Sequence, residues 1–209
     1  MNIRQDLVLS SKHNIKCPYS MEAQYITIHN TANDASASAE INYMKNNNNQ
    51  VSYHVAVDDK EAVQGVPFNR NAWHAGDGAN GTGNRKSIAI EICYSKSGGD
   101  RFNKAVENAV EIAAQLMKSY NIPLANIKYH KDWSGKNCPH RLIAEGVTVE
   151  KFRQKVQAKY NELYNQAKAP ASGVIYQVVT GSFASKANAE KRVQELKNKG
   201  FESFLQVKK

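Results

Sequence analysis

"AQYITIHNT", residues 23–31, sets the frame for the rest of the chain. Its side chains alternate with the period of a strand, Ile26 and Ile28 on one face and Tyr25, Thr27 and His29 on the other. The strand therefore delivers a histidine at its end, on the more polar face. Working outward, "QVSYHVAVDD" (50–59) predicts a second strand closed by an acidic turn. "SIAIEICY" (87–94) predicts a third, with Ile88, Ile90 and Ile92 on one face and Ala89, Glu91 and Cys93 on the other. Between these two lies "NRNAWHAGDGANGTGNRKS" (69–87), which is rich in Gly and Asn and fits neither period. It is expected to be a long surface loop of the kind that carries function. Phe102, Val106, Val110, Ala113, Met117 and Tyr120 mark one face of an amphipathic helix, and Pro123 blocks its continuation. A second helix is expected from about Val149 to Ala167, with Thr148 as its N-cap. Strands alternating with helices predict an α/β fold, a central mixed β-sheet flanked by helices.

Beyond that domain, "KAPASG" (168–173) has the composition of a linker. A compact βαβ pattern follows: strand "VIYQVVTGSF" (174–183), helix "SKANAEKRVQELKNK" (185–199) with Val193 and Leu196 inward, and returning strand "FESFLQV". Gly200 stands where a helix C′ glycine belongs. The expected organisation is a domain over 1–160, a helix end and linker over 161–173, and a small βαβ segment over 174–209.

With 41% apolar and 22% charged residues, the chain has the composition of a soluble globular protein. No stretch approaches the roughly 18 apolar residues of a membrane span. The segment "MNIRQDLVLSSKHN" lacks the apolar core of a secretory signal. Synthesis in the cytoplasm is expected, with access to any outside substrate only after lysis or by non-classical release. The net charge of +9 is uneven. Residues 1–146 carry 16 Lys/Arg against 14 Asp/Glu, whereas residues 147–209 carry 12 against 5. The surplus suggests an anionic polymer as partner for the C-terminal part. Nucleic acid is disfavoured, because no aromatic and basic residues interleave as a stacking platform requires.

The chemistry concentrates near "SGKNCPHRL" (134–142). Cys138 could be a buried thiol, half of a disulfide, a nucleophile or a metal ligand. Three cysteines (Cys17, Cys93 and Cys138) without a signal argue against a disulfide framework, and Cys93 is most simply a buried strand residue. His29, Glu91, His130, Lys136 and Cys138 all lie at strand ends or in the loops after them, where α/β domains place their sites. His29, His130 and Cys138 would supply the three protein ligands of a hydrolytic zinc site. The gap from His29 to His130 has no local signature, so spacing alone leaves the alternatives open. Glu91, a carboxylate on an otherwise apolar strand, is suited to general base work, with a structural ion pair as the plainer role.

In order, "YITIHNTA", "VSYHVAVDD", "AWHAGDG", "SIAIEIC" and "YHKDWSGKNCPHRL" resemble the zinc-dependent N-acetylmuramoyl-L-alanine amidases of the type 2 amidase and peptidoglycan-recognition superfamily. The resemblance spans about residues 5–160 and is strongest toward phage and prophage endolysins of Bacillus-type bacteria. It implies the type 2 amidase fold and hydrolysis of the bond between N-acetylmuramic acid and L-alanine in bacterial peptidoglycan. His29, His130 and Cys138 match the family's zinc ligands, Glu91 its catalytic acid/base and Lys136 its transition-state stabiliser. Tyr53 matches a tyrosine that assists in another branch, and Trp73 and His74 would line the substrate groove. His140 is expected to be a non-ligand. The other readings are a non-catalytic peptidoglycan-recognition protein, whose members lack the Cys ligand, and a cysteine peptidase using Cys138. The C-terminal "GSF…NAEKRVQELKNKGFES" pattern resembles a SPOR repeat, a peptidoglycan-binding module, but covers one βαβ unit where the full module has two. It implies attachment to the wall, with anionic wall polymers as the partner of the basic C-terminal part.

Overall fold

The computed structural model describes residues 1–165, 180–201, 203–205 and 207. Two compact units divide between Gln166 and Ala167. In the first, six strands form one sheet: β1 (Ile3–Gln5), β2 (Tyr25–Asn30), β3 (Val55–Val57), β4 (Ala62–Gln64), β5 (Ser87–Ile92) and β6 (Ile127–Tyr129). Their order is β1-β4-β3-β5-β2-β6, and only the β3–β4 pair is antiparallel. The sheet is thus mixed, as the alternation of elements predicted. The central strands β5 and β2 run parallel with Ile26 opposite Ile88 and His29 opposite Glu91. Ile26, Ile28, Ile88, Ile90, Ile92 and Ile127 are fully buried, each contributing roughly 1.5–3 kcal/mol.

The helices flanking this sheet in chain order are α1 (His13–Lys16), α2 (Ala37–Asn46), α3 (Thr82–Lys86), α4 (Gly99–Tyr120), α5 (Lys131–Ser134), α6 (His140–Ala144) and α7 (Val149–Tyr164). α4 lays Phe102, Val106, Val110, Ala113 and Met117 into the core, while Tyr120 is 39% exposed and stands outside the stripe. The helix ends at Tyr120 with Asn121 as its cap, two residues before the expected block at Pro123, and the left-handed backbone of Asn121 lets Ile122 N–H reach the Met117 carbonyl. Thr148 caps α7 by accepting from Lys151 N–H, and α7 packs on α4 and β6 through buried Phe152 and Val156.

Two expectations change. Only Val55–Val57 of the stretch 50–59 is strand. Backbone carbonyls of Asn49 and Val51 turn instead to the Lys16 ammonium, and Ser52 N–H donates to the Trp73 carbonyl. The acidic turn does form: Asp58 Oδ1 accepts from Lys60 and Glu61 N–H, reversing the chain into β4. The stretch 69–87 is not simply a surface loop. Ala72, His74, Ala75, Gly83 and Asn84 are buried and α3 closes it. Asn84 Oδ1 accepts from His74 and Ala75 N–H, and Asp77 accepts from Gly83 and Asn84 N–H.

In the second unit, α8 (Lys186–Asn198) occupies the predicted helix, with Val193 and Leu196 on its less exposed face. Gly200 follows at φ +84°, donating to the Lys197 carbonyl, as a C′ residue should. Most of the expected strand 174–183 lies outside the described residues. Over 201–207 the described residues carry no strand.

Candidate metal centre and catalytic site

Three parallel strands aim their C-terminal ends at one cleft of about 530 Å³. β2 brings His29, β5 brings Glu91 in register beside it, and His130 follows directly after β6, its N–H donating to the Ile28 carbonyl. Cys138 comes from the loop between α5 and α6. α5 is anchored by Trp133, which donates from Nε1 to Thr27 Oγ1 at 2.9 Å and meets Tyr25 edge-on. Gly83 lets the indole sit there, since a Cβ at that position would fall 2.9 Å from the ring and 2.5 Å from Ala75 Cβ. On the other side of Cys138, Asn30 Oδ1 accepts from the N–H groups of Arg141 and Leu142, tying the start of α6 to the end of β2. Arg141 then grips the Ser95, Lys96 and Ser97 carbonyls across Gly98. A side chain at Gly98 would collide with that guanidinium, and its φ of +70° favours glycine independently.

The result brings His29, His130 and Cys138 together, each no more than 6% exposed. His29 Nδ1 lies 3.1 Å from His130 Nδ1, 3.7 Å from Cys138 Sγ and 4.0 Å from Glu91 Oε1. A tetrahedral zinc with its usual bond lengths separates two nitrogens by about 3.3 Å and a nitrogen from a sulfur by about 3.6 Å. The donor set therefore fits such an ion. All three cysteines are free thiols, so Cys138 is no disulfide half. Burial holds His29 well below the ordinary imidazole range, reinforced by His74, His130 and the Lys136 ammonium. Burial and Lys136 bring His130 down to about 4. Both imidazoles are consequently neutral, with lone pairs to offer. Burial and the Glu91 carboxylate push the Cys138 thiol up to about 11, a cost that coordination by a cation would reverse.

His29 Nε2 and His74 Nδ1 are hydrogen-bonded at 3.0 Å. With His29 Nδ1 turned to the other donors, Nε2 carries the proton and His74 accepts it, which fixes the ring's orientation. His74 itself is held low by burial and by His54 and His130. It also lines the cleft, together with Tyr53, Trp73 and Lys136. Tyr53 is only 7% exposed, and its hydroxyl donates to the backbone and carboxylate oxygens of Glu40. Trp73 commits its indole N–H to the Ile15 carbonyl and packs edge-on against Tyr19, leaving part of its ring to the cleft. Lys136 is exposed, and its charge lowers Glu91, His29 and His130 alike.

Glu91 is raised to about 8, first by burial and then by the nearby carboxylate of Glu40, with Lys136 opposing. Its Oε2 has no hydrogen-bond partner among the described residues. An unpartnered carboxylate oxygen beside three atoms that could hold a metal ion, with a pKa near neutrality, has the chemistry a proton shuttle needs. Sequence reasoning missed Asn30, Glu40, His54, Asn84 and Lys16. Each is a buried polar residue whose role is to satisfy backbone groups or neighbours, and only Asn30, adjoining His29, carried a local hint.

A family model described as N-acetylmuramoyl-L-alanine amidase matches residues 19–141, which include every residue of this cluster. The chain belongs to that amidase family. A relative, the N-acetylmuramoyl-L-alanine amidase CwlA of Bacillus subtilis, is 47% identical over 188 residues, 90% of this chain and 69% of its own length. XlyB of the same organism is 56% identical over 144 residues, 69% of this chain and 45% of its own. Among solved structures, that of PlyL is 61% identical and superposes with a TM-score of 0.73 over 75% of this chain and 97% of PlyL. The catalytic domain of XlyA follows at 44% identity and 0.67, covering 75% of this chain and 99% of that domain. The fold is therefore the type 2 amidase fold expected from the sequence. A SPOR domain model matches residues 148–206, starting at the N-cap of the helix that packs on α4. No helix among the described residues is long and apolar enough to cross a membrane.

Proposed function

We propose that this amidase cleaves the bond between N-acetylmuramic acid and L-alanine in bacterial peptidoglycan, with Zn2+ held by His29, His130 and Cys138. The convergence of two neutral imidazoles and a thiol, with Glu91 in register beside His29, carries this reading. Zinc, when bound, supplies a Lewis acid and makes water acidic enough to ionise near neutrality. Glu91 takes the proton of the attacking water on Oε2 and then hands it to the leaving alanine nitrogen. Its raised pKa, about 8, suits both halves of that task. Lys136, at the cleft, places a positive charge for the oxyanion that develops on the scissile carbonyl. His74 keeps the His29 ring in its working tautomer. Trp73 and Tyr53 form wall rather than chemistry, Trp73 by packing and Tyr53 through Glu40.

The basic surplus of residues 147–209, most of which the SPOR match over 148–206 covers, supports attraction to anionic wall polymers. Catalytic residues 1–160 and a wall-binding segment over 174–209 act together in this reading, reaching the wall after lysis or non-classical release.

Three proteins test it: the parent, Cys138→Ser and Glu91→Gln. The parent should carry about one zinc and release new L-alanine amino termini from purified cell walls. Cys138→Ser should lose metal and activity, whereas Glu91→Gln should keep metal and lose activity. An active, metal-free parent that thiol alkylation inactivates would make Cys138 a nucleophile and overturn the proposal.

A further inference from the structure

Lys16 is fully buried, yet no carboxylate pairs with it among the described residues. Its ammonium is instead surrounded by oxygens of one surface loop: Asn47 Oδ1 at 2.8 Å, the Asn49 carbonyl at 2.5 Å and the Val51 carbonyl at 3.1 Å. Those three acceptors span the run 47–51, whose side chains at 48–51 are exposed. Gln50 and Val51, the last two residues of that run, line the catalytic cleft. Burying an ammonium is costly unless all its protons are used, and this one uses its three on main-chain and amide oxygens. Asn47 is still tied to the end of α2 by its N–H to the Tyr43 carbonyl, and Lys12 reaches the Asn46 and Asn47 carbonyls, but residues 48–51 belong to no strand or helix.

The same short segment holds the opposite end of the wall. The Lys16 carbonyl accepts from Ser52 Oγ, which in turn accepts from Trp73 N–H. The Ile15 carbonyl accepts from Trp73 Nε1. α1 thus fixes both Val51 and Trp73, two cleft residues that sequence places 22 positions apart, without touching the metal-ligand cluster.

We infer that Lys16 is a positioning residue for substrate: it shapes the Gln50–Val51–Trp73 wall so that the glycan–peptide strand is held before the catalytic cluster. This rests on the amidase reading above. Loss of the ammonium should weaken substrate engagement and leave metal binding and the chemical step nearly intact.

The test uses the full chain. Lys16→Met retains the length of the stem, and Asn47→Ala removes one acceptor while keeping the lysine. Both are assayed on a soluble muropeptide for KM and kcat, by zinc content, and by amide hydrogen exchange. Lys16→Met should raise KM at least fivefold with kcat within about twofold and zinc unchanged. Exchange at 49–53 should speed up at least tenfold while β5 and α4 stay protected. Asn47→Ala should give a smaller KM rise, about two- to threefold, and answers the question should Lys16→Met not fold. Binding of the muropeptide in a Glu91→Gln background separates the two proposals. A parent that neither binds nor cleaves it defeats the amidase reading. A parent that binds, with Lys16 and Asn47 variants of unchanged KM, or variants that lose kcat and zinc with KM unmoved, defeats this one.

Discussion

His54 should make the amidase domain sensitive to mild acid, in a way that can be isolated from every other histidine. The ring is fully buried. Its Nδ1 accepts from Ala89 N–H at 2.9 Å, so the proton sits on Nε2 and is donated to the Arg70 carbonyl at 2.9 Å. A second proton has nowhere to go without breaking the β3–β5 seam, and burial brings the imidazole down to about 4 from an ordinary 6.5. The unfolded chain accepts that proton near pH 6.5, while the folded chain refuses it until about pH 4. Stability from this source is therefore complete above pH 6.5 and is lost as pH falls through the window between 6.5 and 4. The full difference is about 3 kcal/mol, of which about 2 kcal/mol is lost between pH 7 and pH 5. His54→Asn keeps an oxygen near the Ala89 N–H and gives up the bond to Arg70. At pH 7 it should cost roughly 1–2 kcal/mol. Between pH 7 and pH 5 it should lose about 2 kcal/mol less than the parent. Urea denaturation of both proteins at the two pH values, with zinc held equal, measures the difference directly. Equal losses in parent and variant would refute the argument, because the buried imidazole would then not be what resists the proton.

Other outcomes follow from the packing around the site. Asn30→Ala removes the acceptor for Arg141 and Leu142 N–H. It should destabilise by about 1–2 kcal/mol and weaken zinc binding about 10- to 100-fold in a chelator competition, because the Cys138 loop is no longer tied to β2. Gly83→Ala pushes against Ala75 and Trp133. It should cost about 1–3 kcal/mol in denaturation and lower activity, by shifting the anchor of α5. Phe152→Ala, in the fully buried contact between α7 and the rest of the first unit, should cost about 3–5 kcal/mol. A loss below about 1 kcal/mol there would mean that α7 is not integral to the amidase domain.

The central strands were legible because they are long enough to alternate: β2 and β5 each show isoleucines at every second position. The α4 stripe and the Thr148 cap were legible for the same reason, a period or a cap residue visible within one segment. β1, β4 and β6 have three residues each and display no period at all. β6 matters most among these, since it carries His130 to the site. Its membership in the sheet comes from pairing with β2, a contact across about a hundred residues that no local pattern records. His29 and Glu91 could be placed at strand ends from the sequence, but their adjacency is a matter of register, and it took the ordered set of motifs to suggest it.

What was least legible is the polar layer beneath the site, and the reason is physical. Hydropathy assigns Lys16, Asn30, His54 and Asn84 to the surface, because an isolated polar group is costly to bury. In this fold that cost is met by irregular backbone. Between 46 and 54 and between 69 and 86 the chain leaves carbonyls and N–H groups without ladder partners, and Lys16, His54 and Asn84 bond to several of them. Asn84 takes two N–H groups of the His74 turn, Asn30 takes two at the start of α6, and His54 bridges β5 to the Arg70 turn. A cleft made of loops needs such residues in proportion to the backbone it leaves unpaired. Buried polar side chains are thus the structural counterpart of an open active site, and substituting those that hold the cleft should change substrate and metal affinity as well as stability.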